Sequence, residues 1–278
     1  MSETHPVLRN GAMLAGLGRR TLVMGILNVT PDSFSDGGLF AAEEAAIAHA
    51  EEMVRDGADI VDVGGESTRP GHVAVAEDDE IARVVPVIAA LAPRLGVPIS
   101  IDTYKAATAR QALRNGAGIV NDVWGLQREP AIAGVAADFG APVIAMHNRD
   151  GIDDSLDIVD DMKRFFDRSI GIARRAGIAD RDVILDPGIG FGKSFAQNLE
   201  ALRRLGELKA LGHPILVGTS RKSFIGRILG KLPGERVNGT IASNVAAILA
   251  GADIIRVHDV GPHVEAARVT DAILGKTS

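Results

Sequence analysis

Short apolar runs, each closed by polar or turn-forming residues and followed by a helical segment, recur along the whole chain. The first is Leu22-Val23-Met24-Gly25-Ile26-Leu27, which stops at Asn28. A run this apolar over so few residues reads as a strand buried on both faces. Seven more such runs follow, at 60–63, 97–101, 118–120, 142–146, 183–185, 215–217 and 254–257. Helical patterns lie between them, at 41–55, at 77–95 despite Pro86, and at 105–114 and 131–139. A longer helix is opened by Ser155 as N-cap, runs to 176 and is stopped by Gly177. Further helices are predicted at 197–209, 224–229, 240–250 and, after the last strand, 262–273.

Strands that alternate with helices make a parallel sheet, because each parallel pairing needs a crossover. Eight such units without a low-complexity linker or a composition break predict an α/β fold, a closed (β/α)8 TIM barrel, as a single domain over 1–278. A doubly wound open sheet is the alternative architecture.

Composition narrows the function classes. Apolar residues make up 46% of the 278, enough for a large core, and the net charge of -6 leaves no basic footprint for nucleic acid. There is no cysteine, hence no disulfide framework, thiolate nucleophile or cysteine-held metal. The first twenty residues lack the apolar core of a signal peptide, and no apolar run is long enough to span a bilayer. A cytoplasmic location is the expectation.

In a parallel barrel every strand delivers its C-terminal end to one face, where active sites form. Those ends carry Asn28, Asp62 with Thr68 and Arg69, Asp102, Asn121, His147, Asp186, Ser220 with Arg221 and Lys222, and Arg256 with His258. An Asp or Asn after a strand often does no more than cap a helix. Here, however, Asp102, Asn121 and Asp186 are expected to face inward beside Lys222 and Arg256. That mixture suits a flat heterocycle rich in donors, since each charge-assisted bond contributes roughly 1.5–3 kcal/mol. Arg256 and His258 alternate along one strand and share a face. With Asn28 on the neighbouring first strand they form an anion pocket, in the region where this fold commonly holds phosphate.

Three loops need separate readings. The stretch from Asn28 to Gly38 holds Pro31, Gly37 and Gly38, which exclude a regular element, with Phe34 in its middle. It reads either as a surface loop with one tucked aromatic or as a lid whose Phe34 folds over a ligand. The acidic cluster Asp150, Asp153, Asp154 and Asp157 reads as a solvated face near a helix start, not as a metal site. The run 186–194 imitates a nucleotide-binding loop, but Pro187 stands where that motif needs glycine. Its glycines instead turn the backbone sharply and bring Phe191 to the mouth.

Seven motifs at successive strand ends carry a family resemblance. They are GILNVTPDSFSDGG (25–38), DVGGESTRPG (62–71), SIDTYK (100–105), NDVWG (121–125), DPGIGFGK (186–193), GTSRKSFIG (218–226) and RVHDV (256–260). In this order they resemble dihydropteroate synthase over nearly the whole chain. Met146-His147 matches that pattern too, while the residues after it depart, so His147 takes no role from the resemblance.

The resemblance implies a transferase of folate biosynthesis. Para-aminobenzoate would displace pyrophosphate from 6-hydroxymethyl-7,8-dihydropterin diphosphate, giving 7,8-dihydropteroate. Asp102, Asn121, Met146, Asp186 and Lys222 would hold the pterin, and Asn28, Arg256 and His258 the diphosphate. Mg2+ is implied near Asn28. Phe34, Thr68, Arg69, Pro70, Phe191 and Ser220 would surround the aminobenzoate. Asp102, Asp186, Lys222 and Arg256 would carry the catalysis, and no residue need act as nucleophile if the leaving group departs early. Asp102 and Asp186 would then stabilise a cationic dihydropterin, while the metal and Arg256 take up charge on the diphosphate. Closure of the first two loops would keep water away. Sulfonamides, which share an aniline and an acidic end with aminobenzoate, are expected as competitive inhibitors, and a homodimer is implied.

Three other readings stand beside this one. A pterin-dependent methyltransferase would share the Asp/Asn set but not need the first two loop motifs or an Arg-x-His pocket. A non-catalytic paralogue would bind pterin without turnover. A phosphate-binding barrel isomerase or aldolase would need an acid/base pair or a Schiff-base lysine, for which Lys222 is the only strand-end candidate.

Overall fold

Each strand alternates between two interiors. A computed structural model describes residues 14–29, 38–66 and 75–276. The strands are β1 (Leu22–Asn28), β2 (Ile60–Gly64), β3 (Ile99–Asp102), β4 (Ile119–Asp122), β5 (Val143–Met146), β6 (Val183–Asp186), β7 (Leu216–Val217) and β8 (Ile254–Val257). They form one parallel sheet in the order β6-β5-β4-β3-β2-β1-β8-β7. A parallel bridge between Leu185 and Ile215 joins the two ends, so the sheet closes into the expected (β/α)8 barrel.

Leu22, Met24, Ile60, Ile119, Ile144, Ile184, Leu216 and Ile254 form one cluster inside the barrel, with Leu14 and Leu17 packed against it. The opposite parity, including Val23, Leu27, Val61, Val63, Val120, Val143, Val183 and Ile255, belongs to the larger core under the helices. Each such side chain contributes roughly 1.5–3 kcal/mol by leaving water. This two-sided burial is why the runs read as continuously apolar. One step toward the C-terminal face the inward positions turn polar. Register then sets neighbours level: Asp62 with Ser100, Asp102 with Asn121, Met146 with Asp186, and Met24 with Arg256.

The helices are α1 (Gly38–Arg55), α2 (Glu77–Leu91), α3 (Ala106–Arg114), α4 (Ala131–Phe139), α5 (Ile158–Ala176), α6 (Phe195–Arg203), α7 (Ser223–Leu229), α8 (Val237–Leu249) and α9 (Val260–Ile273). Four differ from the sequence reading in an instructive way. α1 already begins at Gly38, which the sequence assigned to a loop. α2 runs through Pro86 but stops at Leu91, just before Pro93, whose missing N–H weakens any continuation. The helix expected over 197–209 is α6 followed by a 3-10 segment, Leu205–Leu211, with Gly206 near the break. Ser155 is not the cap of α5: Asp157 is, its carboxylate accepting from the N–H groups of Val159 and Asp160, while Ser155 bonds Asp153. Gly177 ends α5 in the left-handed conformation, as expected. No helix among the described residues is long and apolar enough to cross a membrane.

Candidate active site

Asp62, on β2, is fully buried and organises the polar layer above the barrel core. Its Oδ2 accepts from Arg256 Nε at 2.6 Å and from Asn121 Nδ2 at 3.0 Å. Arg256 Nη2 donates in turn to Asp102 Oδ2 at 2.6 Å. One guanidinium thus bridges β2 and β3 from β8, and its plane is fixed by two carboxylates. Because Asp62 can only accept, the Asn121 amide must direct its N–H2 toward β2, which leaves its carbonyl oxygen turned away.

Burial pushes the Asp102 carboxyl up to about 7, against the pull of Arg256 and together with the nearby Asp62 charge. Arg256 is held above its ordinary value: burial opposes its charge, but Asp62 and Asp102 outweigh that cost. Asp62 Oδ1 and Asp102 Oδ1 are buried acceptors with no hydrogen-bond partner among the described residues. Buried acceptors of this kind call for a donor, from water or from a bound ligand.

Across the barrel mouth, Asp186 Oδ1 accepts from the N–H of Gly188 at 2.7 Å. Burial raises the Asp186 carboxyl, with Gly188 and Lys222 opposing the rise. The turn that follows lies directly on the β5–α5 segment. A Cβ at Gly188 would collide with the His147 carbonyl oxygen, and one at Gly192 would come within 2.6 Å of Arg149 Cβ. Both glycines also have positive φ, 63° and 55°, so no other residue fits there without strain. The turn brings Phe191 beneath Lys222, whose Nζ stands 4.0 Å from the ring centroid.

Ser220 and Lys222 flank Arg221, which adopts φ 57°, an uncommon conformation for a residue with a side chain. Its guanidinium pairs with Asp259 at 2.5 and 3.1 Å, and its carbonyl accepts from Arg236, which holds this turn in place. Ser220 Oγ accepts from the His258 backbone N–H at 3.1 Å and lies within hydrogen-bond reach of His258 Nδ1, 2.9 Å away. Burial lowers the pKa of His258 to about 3, with Arg221 and Arg256 adding to the effect, so its imidazole is neutral.

The structure thus gathers Asp102, Asn121, Asp186 and Arg256 around one interior, with Met146 buried level with Asp186. Asn28 ends β1 on the same inward parity as Leu22 and Met24. Phe34, Thr68, Arg69 and Pro70 lie outside the described residues. Two buried polar residues beside the site, Asp62 and Lys193, receive no role from the sequence reading. Asp62 was noticed only as a strand end, although its parity matches that of Asp102 on the next strand. Lys193 stands in the turn after β6, away from the strand end itself. Lys193 is buried, its Nζ 2.7 Å from His147 Nδ1, and burial lowers its pKa to about 7 despite Asp186 and Asp161. Periodicity gave no sign of this, because the glycine turn folds Lys193 back under the strand ends.

Comparison with known proteins agrees with this geometry. The family described as pterin binding enzyme matches residues 24–258. The chain is 49% identical over 268 residues to a dihydropteroate synthase of Clostridium beijerinckii, covering 96% of this chain and 99% of that one. Among solved structures it superposes with TM-score 0.90 on a dihydropteroate synthase from Clostridium difficile crystallised in the presence of pteroic acid. That match is 56% identical and covers 92% of this chain and 98% of the other. It also superposes with TM-score 0.88 on the Xanthomonas albilineans dihydropteroate synthase with 4-aminobenzoic acid, at 45% identity and covering 92% and 93% of the two chains.

Proposed function

The chain belongs to the dihydropteroate synthases of the pterin-binding enzyme family, and on that premise we propose how its residues share the reaction. It is a transferase that joins para-aminobenzoate to 6-hydroxymethyl-7,8-dihydropterin diphosphate, releasing pyrophosphate and forming 7,8-dihydropteroate. The aniline nitrogen supplies the electron pair of the new N–C bond at the exocyclic methylene. The C–O bond to the diphosphate breaks, its electrons leave with pyrophosphate, and the nitrogen gives up a proton.

The observation that carries the site assignment is the pair of buried, unpartnered acceptors on Asp62 and Asp102 beside an Asn121 amide of fixed direction. Together with Asp186 they offer acceptors to a ring edge, which complements the N–H groups of a pterin. Met146 lines the ring, and Lys222 supplies the donor on the other edge. Positive charge that develops on the dihydropterin as the C–O bond lengthens is stabilised by Asp102 and Asp186.

Arg256, His258 and Asn28 face the diphosphate. Phe191 and Ser220 line the aminobenzoate subsite, together with Phe34, Thr68, Arg69 and Pro70. For Mg2+ the chain offers the neutral oxygen of Asn28, and among the described residues no three acidic or histidine side chains are placed to hold a metal ion together. That donor set fits an ion that takes its remaining ligands from diphosphate and water. When bound, such an ion would neutralise leaving-group charge.

A crystal structure with pteroic acid tests these roles. The pterin ring is expected within hydrogen-bond reach of Asp102, Asn121 and Asp186, with the benzoate beside Phe191. A ring seated elsewhere overturns the assignment.

A further inference from the structure

Lys193 and His147 take no part in the chemistry assigned above, yet both are buried. Lys193 Nζ lies 2.9 Å from the carbonyl oxygen of Gly188 and 3.1 Å from that of Phe191, besides its 2.7 Å contact with His147 Nδ1. A longer contact of 3.4 Å reaches the His147 carbonyl. On the far side of the imidazole, Nε2 stands 3.2 Å from Asp161 Oδ2, in the first turn of α5. A carboxylate can only accept, so Nε2 carries the hydrogen and Nδ1 is the acceptor turned to Lys193. Burial and the Lys193 charge hold this imidazole neutral, with a pKa of about 2.

The series Asp161, His147, Lys193 therefore runs from α5 to two carbonyls of the turn after β6. Between those carbonyls the turn carries Gly190, where a Cβ would come within 3.0 Å of the Lys222 stem, and then Phe191, whose ring lies under the Lys222 ammonium. Asp102 and Asn121 are fixed separately, through Asp62 and Arg256. The two ends of the site thus have different supports.

We propose that Lys193, seated by His147 and Asp161, is a positioning residue for the aminobenzoate half of the reaction. It fastens the turn 188–193 to the β5–α5 segment and keeps Phe191 in place. The inference rests on Phe191 lining the aminobenzoate subsite. A role confined to stability would lower the melting temperature without separating the two substrates.

The test is Lys193→Met, which nearly keeps the side-chain volume, one atom shorter, and removes every side-chain donor. The KM for para-aminobenzoate is expected to rise at least about tenfold, while the Kd for the pterin diphosphate stays within about threefold. Amide hydrogen exchange over 188–193 is expected to quicken. A folded variant whose aminobenzoate KM stays within about twofold of the parent overturns the proposal, as does a pterin Kd that weakens in step. Should Lys193→Met fail to fold, Asp161→Asn removes the carboxylate that sets the imidazole tautomer. There the expected rise is about threefold in the same KM, and an unchanged KM contradicts the proposal. If the parent protein makes no dihydropteroate, the functional reading fails. The exchange measurement then still decides the inference, since unchanged protection over 188–193 in both variants overturns it.

Discussion

Asp62 Oδ2 stands 2.6 Å from Arg256 Nε, and the same oxygen takes the Asn121 amide at 3.0 Å. A single buried carboxylate oxygen therefore orients both a cation and an amide of the site. Asp62→Asn keeps the shape but removes the charge and makes one of its two atoms a donor. It is expected to lower kcat/KM for the pterin diphosphate at least about tenfold while circular dichroism stays unchanged. Parental kinetics in a folded Asp62→Asn protein would show that Arg256 and Asn121 find their orientation elsewhere.

Asp102→Asn and Arg256→Ala each remove a charged member of the layer. Each is expected to reduce kcat/KM at least about a hundredfold, or roughly 2.7 kcal/mol of transition-state stabilisation. Steady-state kinetics with purified, folded variants checks this, and near-parental activity in either variant removes that residue from the catalytic set.

The Asp102 carboxyl also gives the protein a pH signature. Its folded value of about 7 lies above the ordinary 3.8, raised by burial against the pull of Arg256. Between those values the folded protein keeps a proton that the unfolded chain has released. This group's contribution to stability is therefore complete at low pH and is lost as pH rises through about 7. Melting temperatures of the parent and of Asp102→Asn test the sign. The parent's margin over the variant should shrink from about pH 5 to about pH 8, and a margin that grows contradicts the assignment.

Phe191 under Lys222 offers a flat apolar face beside a cation, which suits an aniline with an acidic substituent. Sulfonamides share those two features with para-aminobenzoate. Calorimetric titration in the presence of pyrophosphate should show a sulfonamide and para-aminobenzoate displacing one another at one site. Simultaneous binding of both would contradict a common subsite.

Much of this arrangement is written along the chain. The alternation of apolar and polar residues in Ile60-Val61-Asp62-Val63 and Ile254-Ile255-Arg256-Val257 already places Asp62 and Arg256 on the barrel's inner face. Strand-end chemistry at Asp102, Asn121 and Asp186 follows from the same parity. What the chain does not display is who pairs with whom. Arg256 reads as an anion ligand, yet two of its nitrogens hold Asp62 and Asp102, because barrel closure sets β8 across from β2 and β3. Likewise His147 looks like a lone histidine, and Lys193 like the end of a glycine-rich loop. They meet only because Gly188 and Gly192 allow the β6 turn to lie on the backbone after β5. Cap identity was hard to read for a simpler reason: Ser155 and Asp157 are both good caps two residues apart, and the α5 N–H groups face Asp157.

The central claim is the condensation itself, tested most directly by pyrophosphate release from 6-hydroxymethyl-7,8-dihydropterin diphosphate with Mg2+, with and without para-aminobenzoate. Release that depends on para-aminobenzoate, matched mole for mole by 7,8-dihydropteroate, is the predicted result. Tight pterin binding with no para-aminobenzoate-dependent release would contradict it and leave a pterin-binding barrel without synthase activity.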